Sequence, residues 1–226
     1  VSIVVPVLWG GLAALAAPAL SLSVDPSSSV DAYSREAVAE GRLGLAAVAA
    51  CRPLAPDLAL CLRRRGPDGG RHLVTLEDLA GWSLDESAAF AEARAHAAEV
   101  WKLAPPTPQA VEGLEGRYWL RSEADGIDCL GLLFPEELAR IAGATPVVAC
   151  PDVAALMFWV PPEGGPGDFD KAVGVGVRRL AEASSQAGSP LLYRHNGEKW
   201  LVWAEVKGTL RPLPAAPGSG PAPGPR

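Results

Sequence analysis

The chain has 226 residues, enough for one domain with a sizeable core, and 49% of them are hydrophobic against 20% charged. A formal charge of −6 gives no basic field, so nucleic acid is excluded as an expected partner, and a membrane contact is left only through an uncleaved leader. The 22 Pro and 24 Gly gather partly at the termini, which confines expected disorder to the ends.

The first 24 residues are uncharged. The apolar run from Val1, ending in Ala17-Pro18-Ala19, has the form of a secretory signal peptide cleaved after Ala19, although no basic residue precedes it. The competing readings are a buried N-terminal helix and a membrane anchor, and Pro6, Pro18 and Gly10-Gly11 weaken both. The expected organisation is a leader over 1–24, one domain over 25–210, and a disordered Pro/Gly-rich tail over 211–226. Export to a periplasmic or extracellular space follows from this reading.

Within the domain, Val30 to Cys51 reads as an Ala-rich helix ended by Pro53 and Pro56. Alternating residues in Asp57–Leu62 and Arg71–Leu76 flank Pro67-Asp68-Gly69-Gly70, which predicts a hairpin. A short helix is expected over 75–82. A longer one over 83–101 would start at Ser83, with Glu86 completing a capping box and Phe90, Ala93, Ala97 and Val100 on its apolar face. Pro105 to Pro108 opens a linker, Arg117–Ser122 reads as a strand, and Asp128–Ala142 is helix-like with Gly143 as its C-cap. The segment GATPVVACPDVAALMFWV, Gly143 to Val160, holds two apolar runs around a Pro151-Asp152 turn and reads as the buried centre of the sheet. A helix over 168–187 follows, then a hairpin of Pro190–Arg194 and Lys199–Lys207 around Asn196-Gly197. Together these predict an α+β fold: a mixed or antiparallel sheet with β-hairpins, packed against several helices.

The order of LVTLEDLAGWSLDESAAFAEARAHA, YWLRSEADGIDCLGLLFPEEL and TPVVACPDVAALMFWV, from Leu73 to Val160, resembles the YtpQ-like family of uncharacterised bacterial proteins. The resemblance implies an α+β fold and no known activity. Two departures stand out, His96 where an Asn is expected late in the first helix and a Cys directly before the Pro-Asp turn.

Four cysteines permit three disulfide pairings, and the sequence-near one joins Cys51 to Cys61 and Cys129 to Cys150; the alternative is four buried free thiols. Cys150 at a strand end, His195 at a hairpin turn and Asp152 would supply nucleophile, base and orienting carboxylate for a thiol-dependent hydrolase or transferase. The competing reading makes Cys150 a core residue or half of a disulfide. His72, His96 and His195 stand apart and no ligand spacing joins them, so no metal or other cofactor is expected. Gly174-Val175-Gly176 falls inside a predicted helix and not after a strand. Arg63, Arg64 and Arg65 read as a solvated hairpin end in preference to a phosphate contact. Of the seven Trp, Trp119, Trp159, Trp200 and Trp203 fall on strands, and Trp203 shares a face with Lys199 and Glu205, where it would meet a protein or glycan. The leading functional expectation is a non-enzymatic exported module that binds an unidentified protein or small ligand. The alternatives are the thiol enzyme and a cytoplasmic interaction protein.

Overall fold

The computed structural model describes residues 18–123, 127–163, 166–184, 188–207 and 209–212, with side chains through 204. Residues 1–17 of the apolar run and 213–226 of the tail lie outside the described residues. The domain nevertheless reaches into both flanks. Leu20–Pro26 forms strand β1, with Leu22 and Val24 buried in the core.

Helix α1 runs Ser27–Ala39 and stops well short of Cys51. Gly41 and Gly44 follow with φ of 84° and 62°, left-handed conformations that end a helix and that Gly adopts without strain. A 3-10 turn at Gly44–Ala47 then leads into β2, Cys51–Ala55. Pro53 is tolerated inside β2 because the strand pairs on one side only, with β3. Strand β3, Leu58–Arg65, and β4, Arg71–Leu73, make the expected hairpin. Together β1, β2, β3 and β4 form a four-stranded antiparallel sheet with β3 at its centre.

Helix α2, Leu76–Gly81, starts at Thr75 through a reciprocal capping box with Asp78. Helix α3 covers Glu86–Leu103, and its cap is Asp85, whose carboxylate accepts the Ala88 N–H at 2.9 Å. Ser83 lies before the helix, with φ of 56°. Strand β5, Thr107–Gln109, occupies what reads in sequence as a linker; it pairs only with β6, Tyr118–Arg121, so Pro108 again sits on an edge. Asp128–Leu133 is a buried 3-10 turn, and α4 is limited to Pro135–Ala142, with Gly143 left-handed at its end.

Strands β7, Val147–Asp152, and β8, Ala155–Trp159, lie at the heart of a seven-stranded antiparallel sheet ordered β11-β10-β9-β7-β8-β6-β5. The Pro151-Asp152 pair belongs to β7, at a bulge, and the turn falls on Val153-Ala154. Helix α5 covers Asp168–Ala183; β9 is Leu191–His195, β10 is Trp200–Lys207 and β11 is Thr209–Pro212. Arg211 and Pro212, grouped in sequence with the tail, pair with Glu205 and Ala204.

Both faces of β7 and β8 are buried. Val147, Ala149, Met157 and Trp159 pack with Val173 and Val177 of α5. Val148, Cys150, Leu156 and Phe158 turn the other way, into a larger cluster filled by Leu22, Leu62, Phe90, Trp101, Leu130 and Leu138. The fold is therefore a central antiparallel sheet, covered on one side by α5 and on the other by α3, α4 and the small sheet.

Two side-chain pairs carry polar groups into this interior. Arg121 donates to Asp128 at 3.1 Å and to the Ala104 carbonyl at 2.9 Å, with its guanidinium 4.9 Å from the Trp101 ring centre. Trp159 Nε1 donates to Asp170, whose second oxygen accepts the Gly167 N–H, each at 2.8 Å. Replacing Arg121 by Met strands the Asp128 carboxylate in the core. Urea denaturation of Arg121→Met should show a loss of about 3–5 kcal/mol.

Candidate functional site

The residues that converge on an accessible recess come from the small sheet and the segments beside it. Along β3, Leu58 and Leu62 are buried and Leu60 packs against the same core, so the two-residue repeat puts Arg64 next on that face. There β3 runs past its apolar cover. Arg64 lies between Leu20 of β1 and His72 of β4 in register. Tyr33 of α1, Arg42 after it, and Thr75, Glu77 and Asp78 at the start of α2 complete a cleft of about 360 Å³.

Most donors and acceptors in this cleft are spoken for. The Arg42 guanidinium lies 5.2 Å from the Tyr33 ring centre, donates to the Tyr33 hydroxyl at 3.0 Å and pairs with Glu40 at 2.9 Å. His72 Nε2 is 2.9 Å from Asp68, and this hydrogen bond is the main reason the Asp68 carboxyl is held below its usual range. Asp78 is engaged by the Thr75 backbone and hydroxyl. Arg64 differs from these. Its guanidinium is 5.9 Å from the Trp82 ring centre, and its Nε is buried with no hydrogen-bond partner among the described residues. A buried donor left unmade costs about 1–3 kcal/mol.

The thiol constellation is not assembled. Strand β9 pairs with β7 through Val147↔Arg194, Val148↔Tyr193 and Ala149↔Leu192. Ala149, the residue before Cys150, is thus opposite Leu192, and His195 lies three residues further along β9. Three residues at ~3.3 Å each make roughly 10 Å along the strand, far beyond the ~3 Å that proton transfer requires. Cys150 is fully buried. The Asp152 carboxylate accepts from the Ala154 N–H at 2.7 Å and from the Ser184 hydroxyl, so it orients the hairpin and not a histidine. His195 instead meets the Trp200 ring at 5.0 Å, beside a recess of about 180 Å³ that also contains Glu136 and Thr145.

The disulfide pairing is realised at one of its two positions. Cys51 and Cys61, directly opposite each other on β2 and β3, are bridged, while Cys129 and Cys150 are free and buried. Trp203 is half-buried, and not the exposed ring expected. The ring lies on the face opposite Trp200, as alternation expects, but residues of α5 cover that face and Trp203 packs against the α5-side core.

A polar cluster that sequence reasoning missed joins the two sheets. Asp57, at the β2–β3 turn, accepts from the Ser189 hydroxyl at 2.6 Å and from the Tyr193 hydroxyl, while Ser189 Oγ accepts the Leu191 N–H at 3.0 Å. Burial first, then Asp57, pushes the Tyr193 phenol far above its ordinary value. Ser189 is 1% exposed and Tyr193 0%, so no substrate reaches them and the cluster is structural. The nearly 140-residue gap between Asp57 and its partners explains why no local signal marks it. For the cleft a signal did exist, the run Arg63-Arg64-Arg65 on an alternating strand, but only the folded structure shows that Nε of its middle member has no hydrogen-bond partner among the described residues.

No protein-family model, no curated protein and no solved structure matches this chain.

Because the folded phenol holds its proton more tightly than the unfolded one, the stability Tyr193 contributes is complete below about pH 10 and is lost as pH rises above it. Denaturant titrations between about pH 9 and 11 should show wild-type stability falling by up to about 1.4 kcal/mol more per pH unit than Tyr193→Phe. At neutral pH the same variant should be about 1–3 kcal/mol less stable, because Asp57 loses a buried partner.

Proposed function

We propose that the chain is a non-enzymatic, exported binding module whose ligand presents an anionic group to Arg64 in the cleft between β3, β4, α1 and α2. The observation that carries this reading is the buried, unpartnered Nε of Arg64 in a recess whose other cationic groups already have partners. A guanidinium is the side chain best suited to planar recognition of a carboxylate or phosphate. The Cys51–Cys61 bridge supports export, since disulfides persist in oxidising compartments. Among the described residues no helix is long and apolar enough to cross a membrane. A partner site centred on Trp203 is less well supported, because that ring packs against the core.

The ligand size the cleft admits is modest: about 360 Å³ is at the lower end of small-molecule sites. Glu77 and Asp78 on the rim repel extended polyanions, which favours a small ligand carrying one anionic group. Isothermal calorimetry with inorganic phosphate and with acetate, at constant chloride, tests the reading. Saturable binding of either probe that weakens at least about tenfold in Arg64→Gln, about 1.4 kcal/mol, is expected. Absence of saturable binding, or equal affinity in the variant, contradicts it.

A further inference from the structure

The cleft beside Arg64 is built with one open charge of each sign. Its cationic side is Arg64 itself, with a buried Nε that has no hydrogen-bond partner among the described residues. Arg42, the other arginine there, is held by Tyr33 and Glu40, and His72 is held by Asp68. The acidic side is Glu77. Antiparallel pairing carries β4 past Arg64 at His72, and the Val74 N–H donates to the Leu62 carbonyl at 3.0 Å, so the chain enters α2 still alongside β3. The capping box then occupies Asp78, whose carboxylate accepts the Thr75 N–H at 2.9 Å. Glu77 stands between those two residues in the same first turn, lines the cleft and is exposed. It makes no hydrogen bond or ion pair among the described residues.

We propose that the ligand of this cleft is a small zwitterion of the amino-acid class, its carboxylate meeting Arg64 and its ammonium meeting Glu77. The inference rests on the anion-binding reading of the cleft and narrows it. A ligand with an anionic group alone satisfies Arg64 but brings its charge toward the Glu77 carboxylate, and like charges in one recess oppose binding. An ammonium on the same molecule converts that repulsion into a second ion pair. The chemistry of the two side chains suits the two ends. The planar guanidinium matches a carboxylate through parallel N–H donors, whereas an ammonium, with three donors and no acceptor, is met by a single carboxylate such as that of Glu77. Size agrees as well, since a recess of about 360 Å³ takes a molecule of this class whole, with Ala46 and Leu73 in its wall to face the carbon atoms.

Isothermal calorimetry on the full chain, at constant chloride, compares two zwitterions with the acids that lack their ammonium: L-alanine against propionate, and 4-aminobutyrate against butyrate. At least one zwitterion should bind tighter than its partner acid by about fivefold or more. Glu77 is exposed, so Glu77→Gln disturbs no packing, and in that variant the ratio should fall to about one. Arg64→Gln should weaken acid and zwitterion alike. Equal affinity of both zwitterions and their acids in the wild-type chain overturns the proposal, as does a preference that survives in Glu77→Gln. Acids that bind through Arg64 without any such preference overturn the zwitterion and leave the anion-binding reading standing. If none of the four probes binds, and phosphate does not bind either, both fall.

Discussion

Burial of β7 and β8 on both faces is the constraint from which the rest of the molecule follows. Val147, Ala149, Met157 and Trp159 require one cover and Val148, Cys150, Leu156 and Phe158 another. Helix α5 meets the first demand and the small sheet with α3 and α4 meets the second. Each large side chain sealed there shifts stability by roughly 1.5–3 kcal/mol relative to exposure, so the hairpin outweighs any single surface interaction. Large polar side chains in this interior have dedicated partners, Asp170 for Trp159, Asp128 for Arg121 and Asp57 for Tyr193.

The same constraint decides where chemistry can occur. Cys150 lies at the most protected place in the fold, and the antiparallel register that buries it carries His195 to the other end of β9. By contrast β3 extends beyond its core partners, and the alternation that points Leu58 and Leu62 inward delivers Arg64 to the edge of that core. The candidate site thus arises where a core-facing strand position outlasts the core. A cationic side chain there keeps its stem against apolar surface and its head in the cleft.

Elements whose signals are local were legible in the sequence. The β3–β4 and β9–β10 hairpins follow from alternation around Gly-containing turns, the body of α3 and α5 from apolar spacing, and the α4 terminus from Gly143. What failed was set by distant partners. The strand role of Leu20–Val24 is set by β3, with which it pairs, and by the core its apolar residues enter. Pro53 and Pro108 read as breakers until the strands that carry them prove to be edges. Trp203 lies on the face opposite Trp200, as alternation expects, but α5, distant in sequence, covers that face. The cleft was half legible, since the arginine run is visible while the unsatisfied Nε of its middle member is a property of the folded surroundings.

The claim most exposed to test is that Arg64 offers an open hydrogen-bond donor to an anion. Side-chain nitrogen–proton correlation spectra of the arginines, recorded while the full chain is titrated with inorganic phosphate, read that donor directly. The Arg64 Nε–Hε signal should shift saturably, along with the amides of His72 and Thr75 to Asp78, while arginines outside the cleft stay in place. Saturable shifts at other arginines with an unmoved Arg64 signal, or no saturable shift at all, would contradict the account.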